Sequence, residues 1–538
     1  MELQVRYPWY VPYLTAFLIC VVYFLFQVLF MQQFLDWDQI VYANNIKRAL
    51  LPGRKLYENL YNPHHLHMTL SGKFFHEWVV SHFGEAGLTD VVFNNRIRSL
   101  LAACAGMYAI IILVRNITKS LVWGVVAGIL LGSIHSYMSY ATQIDTPIFP
   151  AAAFILTVWV VHRLETTRRL PIAYGAAGAV ILFLGVMGHQ FMGIISVLAC
   201  VSVFLPPFLF RLNLPGRPFR VKSAFAANKP VIDKNMVKRY QAGVVMSILG
   251  AALIIGAFFW AGKTQYNMPF GKGNPVTARG PLNGWSFQQW LFLYANLDTW
   301  GHGINRFDPR APLRGYTDAF LSQIEDVTRF NRNYRFLYNV KTPFAEISFS
   351  HNQLAYFTAG VFLGLILLFP VMWKKYKRTF FFLLSSLISC ALFTTYWEPQ
   401  YYEFWLVPAI SVLILGILIA QTLGSAVNIL LEKVGLWGSG GTSPGQEKNE
   451  RQENNANRIH GRRIGEIPFI FYFIFLAFVF FAHNNLYYLI DYSRGKKLEG
   501  YSRDWEESYY MDLYSDQLYL FPDNVHKKAF GTEKGEVK

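Results

Sequence analysis

Eleven long apolar runs set the terms on which this chain can fold. They cover about 12–31, 99–114, 121–138, 148–162, 171–187, 192–210, 241–262, 353–373, 379–396, 404–423 and 467–490. A helix that crosses a bilayer needs ~20 consecutive apolar residues. The chain is 53% hydrophobic and 15% charged, which is too apolar for an ordinary soluble domain. The expectation is an all-α polytopic membrane protein with about eleven transmembrane helices. The first run has no small-residue cleavage site after it and reads as a retained signal anchor. All four cysteines, Cys20, Cys104, Cys200 and Cys390, fall inside apolar runs. They read as small core hydrophobes with no disulfide among them.

A net charge of +16 suits nucleic acid in principle, but its distribution argues for topology instead. The short segments 115–120, 163–169 and 374–378 hold nine Lys and Arg, whereas 139–147, 188–191 and 397–403 hold none. Basic short loops stay cytoplasmic, so the N-terminus is expected inside. That puts 32–98, 263–352 and 491–538 on the outer side.

Four regions follow. Residues 1–262 form an N-terminal membrane module whose first external loop is 32–98. A large external loop spans 263–352, with one short helix expected around "SFQQWLFLYANL". A C-terminal membrane module, 353–490, carries a polar linker at about 436–461 that reads as disordered, and an external tail occupies 491–538. Within 32–98, Tyr42, Ile46, Ala49 and Leu50 share one helical face that Pro52-Gly53 ends. A second helix is expected to open at Asn62-Pro63, run through Leu66, Leu70, Phe74 and Trp78, and stop near Gly84. Two amphipathic helices placed like this lie along a membrane surface.

The stretch "LDWDQIVYA" puts two acids where the chain leaves the first span. Asp36 suits an N-cap, with Gln39 three residues on in a capping box. Asp38 then sits in the first helical turn without a structural duty, and a carboxylate in a partly desolvated cleft can take a proton from an attacking hydroxyl. The bland alternative is that both acids cap or face water. Asp145, His189 and Glu398 stand in the three short external loops, where ionisable groups beside a membrane tend to be functional and where hydration is the competing explanation.

In "NPHHLHMTLSGKFFHEW", His64 and His65 occupy a first helical turn, which favours anions. His64, His67 and Glu77 are the weaker option of a metal site, without a standard ligand spacing. Arg96 and Arg98 suit bidentate phosphate binding, and Arg306, Arg310 and Arg314 form a second basic cluster.

Four stretches together resemble the GT-C glycosyltransferases, which include the protein O-mannosyltransferases and the lipid A aminoarabinose transferases. "DQIVYANNIKRAL" is similar to the stretch after their first span, where Asp38 falls on the presumed catalytic base and Tyr42 and Ala43 also match. Gln39 stands where Glu is common. "NNRIRSLLAACAGMYAIIILVRN" places Arg96 on the family arginine and Arg98 where proline is usual. "MSYATQIDTPIFPAAAFIL" puts Asp145 and Pro147 on an outer T-D-x-P motif. "YWEPQYYEFWLVPAISVLILG" aligns Glu398, Tyr401 or Tyr402, and Pro408, with Gln400 in place of a common arginine. The likeness is best over 30–210 and patchy at 395–415.

This resemblance implies an integral membrane glycosyltransferase with a polyprenyl-phosphate sugar as donor. The acceptor would be a glycan, lipid or protein on the non-cytoplasmic side, and the membrane a bacterial inner membrane. Asp38 would be the general base, and Asp36, Tyr42, His64, His65, Arg96, Arg98, Asp145, His189, Glu398 and Tyr401 would contact substrate. A divalent metal is left open as cofactor, and no nucleic acid is expected as a partner. The rivals are a transporter or flippase of a lipid-linked sugar, a polymerase or ligase of lipid-linked oligosaccharide, and a scaffold without chemistry.

Overall fold

A computed structural model describes residues 8–29, 37–50, 66–86, 88–167, 170–206, 234–265, 286–291, 310–321, 344–397, 402–433 and 464–498, with the single residues 209, 268 and 270. Among them the regular structure is helical throughout, as an apolar chain in lipid requires of its backbone. The helices are α1 (Val11–Leu29), α2 (Trp37–Leu50), α3 (Met68–Phe83), α4 (Val91–Thr118), α5 (Leu121–Ser133), α6 (His135–Ala141), α7 (Ile148–Thr166), α8 (Pro171–Gly188), α9 (Met192–Phe204), α10 (Lys234–Phe259), α11 (Phe287–Leu291), α12 (Arg310–Phe320), α13 (Phe344–Trp397), α14 (Tyr402–Lys433) and α15 (Ile467–Leu498).

Eight helices among the described residues are long and apolar enough to cross a membrane, or nine if the bent pair α5–α6 is one span. Eleven were expected, and the reasons for the difference are local. The run 121–138 breaks by 72° between α5 and α6. Among the described residues of the run 192–210, the apolar helix is the 13-residue α9, too short to span. The runs 353–373 and 379–396 share α13, which is interrupted at Lys377 (φ 44°, ψ −117°). There the chain folds back: the rings of Phe369 and Phe380 are 5.6 Å apart, where a straight helix would separate those positions by roughly 16 Å.

Helix α14 is the hub of the interior. Its membrane-crossing stretch is almost wholly enclosed, and it packs on α13, α12, α5 and α7. Around it, α4 packs on α5, α7 and α1, while α8 packs on α7 and α10. Small residues permit the closest approaches, as is usual between membrane helices: a Cβ on Gly175 of α8 would sit 2.3 Å from the carbonyl oxygen of Ala242 on α10.

The three basic loops converge on one end of this bundle. Gln421 donates to the carbonyl of Thr118 at 3.0 Å and receives Lys375 at 3.4 Å. Arg378 pairs with Glu165 at 3.8 Å, and Arg239 donates to the Glu165 carbonyl at 3.0 Å. The loops free of Lys and Arg lie at the other ends of the same helices. The four cysteines are free thiols. The expected linker at 436–461 lies outside the described residues, as does most of 263–352. From that loop the structure adds α12 to the short helix expected near Phe287.

Candidate functional site

The polar end of the bundle is built around α2. Tyr42, Ala43 and Ile46 are buried against Met68 of α3, Val91 and Val92 of α4, and Ile144, with Leu50 and Phe149 at the edge of the cluster. This is the helical face read from the sequence. Helix α2 starts at Trp37. Asp38 therefore lies in its first turn, although only its backbone is described. Asp36, His64, His65, Glu398 and Tyr401 lie outside the described residues.

Helix α3 corrects two expectations. It begins at Met68 with His67 as its N-cap, not at Asn62-Pro63. Its buried face is Met68, Thr69, Gly72, His76 and Val79, while Phe74 and Trp78 of the expected face are exposed. The reason is packing space. A Cβ on Gly72 would lie 2.5 Å from Ile46 Cδ1, 2.6 Å from Asn95 Oδ1 and 2.9 Å from Arg98 Nη1, so α3 presses its smallest residue into the seam between α2 and α4.

Helix α4 starts well before the apolar run that announced it. Asp90 caps it, with Oδ1 accepting from the backbone N–H groups of Val92 at 2.6 Å and Phe93 at 3.1 Å. An aspartate just before an apolar-periodic stretch is the ordinary signal for such a start. The earlier start carries Asn94, Asn95, Arg96 and Arg98 into the helix, all of them buried.

The Arg98 guanidinium donates to the Met68 carbonyl at 2.9 Å, to Ser71 Oγ at 2.7 Å and to Met68 Sδ at 3.1 Å. It also lies over the Phe149 ring, 5.1 Å from the centroid. Those contacts fasten α4 to α3 and to the start of α7. Asn94 Nδ2 donates to His76 Nδ1 at 3.0 Å. Burial pulls the His76 pKa below its ordinary value, against the nearby acids Asp90 and Glu77.

The short loops close the site from the other side. Asp145 is buried and accepts from the Thr146 N–H at 2.6 Å. His189 is buried, its Nδ1 accepting from the Phe191 N–H at 3.2 Å and its ring set edge-on to Phe404 at 5.6 Å. Glu403 accepts from the Tyr140 hydroxyl at 3.3 Å, and the Tyr140 ring stacks on Tyr402 at 5.2 Å. His67, whose Nδ1 is 2.8 Å from the Met187 carbonyl oxygen, joins α3 to the end of α8.

Of the predicted residues, then, Tyr42, Arg96, Arg98, Asp145 and His189 share one end and are buried there. Asn95 and Tyr140 join that end without having been singled out from the sequence, and His67, weighed there only as a metal ligand, ties α3 to α8. Glu77 pairs with Lys73 at 3.6 Å and, of the second basic cluster, Arg314 pairs with Asp318 at 3.7 Å. Among the described residues no group of three or more His, Cys, Asp or Glu is placed to hold a metal.

No protein-family profile matches the chain, and no curated protein does. Two solved structures of the oligosaccharyltransferase of Archaeoglobus fulgidus are similar to it. The apo form aligns with a TM-score of 0.45 and 11% identity over 89% of this chain and 57% of that one. The form tethered by a disulfide to an acceptor peptide containing the NVT sequon aligns with a TM-score of 0.41 and 12% identity over 89% and 56%. This chain thus spans a little over half the length of those proteins.

Proposed function

We propose that this protein is a membrane glycosyltransferase that moves a sugar from a polyprenyl-phosphate donor to an acceptor on the non-cytoplasmic side. The observation that carries the reading is the convergence of Tyr42, Arg96, Asp145 and His189, all buried, at the bundle end where α2 begins. Asp38 in the first turn of α2 is the general base that takes the acceptor's proton as the acceptor attacks the anomeric carbon. Arg96 stabilises the phosphate that leaves, and the displacement inverts the anomeric centre. Arg98, with its donors engaged by Met68 and Ser71, is a positioning residue that keeps α3 in place.

A lipid donor is supported by an apolar groove between α8, α9 and α10. Its walls include Val186, Val197, Val201, Met246 and Ile254. At one end lies Gly193, four residues after His189, where an added Cβ would meet nothing within 4 Å. An isoprenoid chain in that groove would leave its head group beside His189.

The test is transfer of labelled sugar by the purified full-length protein in detergent, with polyprenyl-phosphate sugars and nucleotide sugars offered separately. Transfer from the polyprenyl-phosphate sugar alone, with inversion, is expected. No transfer from any donor, combined with movement of lipid-linked sugar across reconstituted vesicles, would replace the enzyme with a flippase.

A further inference from the structure

The imidazole of His67 is held by three elements. Its Nδ1 lies 2.8 Å from the Met187 carbonyl oxygen, and its backbone N–H donates to the same oxygen at 3.2 Å. A carbonyl oxygen can only accept, so Nδ1 carries the proton. The ring stands edge-on to Phe149 at 5.3 Å, and a Cβ on Gly188 would lie 3.5 Å from Cε1. Burial draws the pKa of the ring down to about 4. The bond to Met187 works against that, and the charge of Arg98 adds to it. The ring is therefore neutral at pH 7 with a single tautomer and its lone pair on Nε2. That nitrogen has no partner among the described residues.

We propose that Nε2 of His67 accepts a hydrogen bond from a hydroxyl group of the bound substrate. An acceptor with a fixed tautomer selects a group that has a proton to give. Sugar hydroxyls have one, whereas an ionised phosphate at neutral pH offers mainly acceptors and goes to arginine. The assignment rests on the glycosyl-transfer reading, because that reading brings hydroxyl-rich ligands to this end of the bundle.

Two variants of the full-length protein separate this role from a structural one. In His67→Asn the amide nitrogen takes the place of Nδ1 and keeps the bond to Met187, but nothing replaces Nε2. In His67→Gln the amide reaches the Nε2 position and the bond to Met187 is lost. A neutral hydrogen bond contributes about 0.5–1.5 kcal/mol, so His67→Asn should raise one KM by up to ~10-fold while Tm stays near wild type. His67→Gln should restore most of that binding and lower Tm. The KM that moves, for donor or for acceptor, identifies which substrate owns the hydroxyl. The reverse pattern, with Asn functional and Gln impaired, would overturn the proposal and leave His67 as a tie between α3 and α8.

A second measurement does not depend on turnover. The lone pair of a neutral imidazole nitrogen attacks a carbonyl carbon of diethyl pyrocarbonate, forming the N-carbethoxy product with release of ethyl carbonate (as ethanol and CO2), and mass spectrometry locates that product. Labelling at His67 that a polyprenyl-phosphate sugar blocks is the expected result, even if wild type transfers no sugar and the enzyme reading falls. Failure to label, or labelling that this lipid does not block, would overturn the assignment.

Discussion

Gly72 and Arg98 occupy a shared space: a Cβ on the glycine would come within 2.9 Å of the arginine's Nη1, and within 2.6 Å of Asn95 Oδ1. Helix α3 can sit on α4 only because that Cβ is missing. Gly72→Ala should therefore push α3 away and destabilise the protein by about 1–3 kcal/mol, the usual cost of overfilling a packed seam. Thermal unfolding in detergent measures this. Gly193→Ala, at a helical glycine with open space around it, is the control and should not lower Tm.

Arg98→Lys should behave as a structural lesion despite keeping the charge. The guanidinium serves Met68 O and Ser71 Oγ together and lies on Phe149, and a lysine ammonium lacks the planar fork that does this. A loss of about 1–3 kcal/mol is expected, the range for a buried group left without its bonds. If Arg98 instead gripped substrate directly, Tm would hold while the donor KM rose.

The neutral state of His67 makes stability depend on pH in a definite direction. Its folded pKa of about 4 lies below the ordinary histidine value of about 6.5, so protons bind the unfolded chain more readily. The favourable contribution is complete above about pH 6.5 and is lost as pH falls toward 4, by at most ~3 kcal/mol at about 1.4 kcal/mol per pKa unit. Tm measured between pH 7 and 4 should fall more steeply for wild type than for His67→Asn. Parallel curves would contradict the neutral ring.

Lys377 has φ 44° and ψ −117°, a conformation that a side chain disfavours and glycine tolerates. Lys377→Gly should raise Tm, consistent with relief of about 1 kcal/mol or more of backbone strain. A lowered Tm would mean that the lysine side chain contributes more at the turn than its backbone costs.

These residues also show where sequence patterns inform and where they fail in lipid. The buried face of α2 was legible because Tyr42 and Ile46 are apolar residues four apart, set off by the polar Asn44, Asn45, Lys47 and Arg48 between and beside them. The face of α3 was misread for the opposite reason. Phe74 and Trp78 are exposed, and in a membrane an apolar side chain need not turn toward protein, whereas Gly72 and Thr69 pack because they are small. The reversal at Lys377 was legible as well, because the basic segment 374–378 separates the apolar runs 353–373 and 379–396. The bond of Tyr140 to Glu403 joins residues 263 positions apart, and no local pattern announces it. Asp90 could have been found, as an aspartate standing directly before Val91 and Val92.

The role of Asp38 is decided by comparing wild type with Asp38→Asn for transfer of labelled sugar from a polyprenyl-phosphate donor, with donor binding measured on the same samples. Loss of a general base costs about 10²–10⁴ in rate, so turnover should fall by that much in the variant while donor affinity stays close to wild type. Equal turnover in the two proteins would contradict the account and leave Asp38 a residue of the first helical turn with no part in the chemistry.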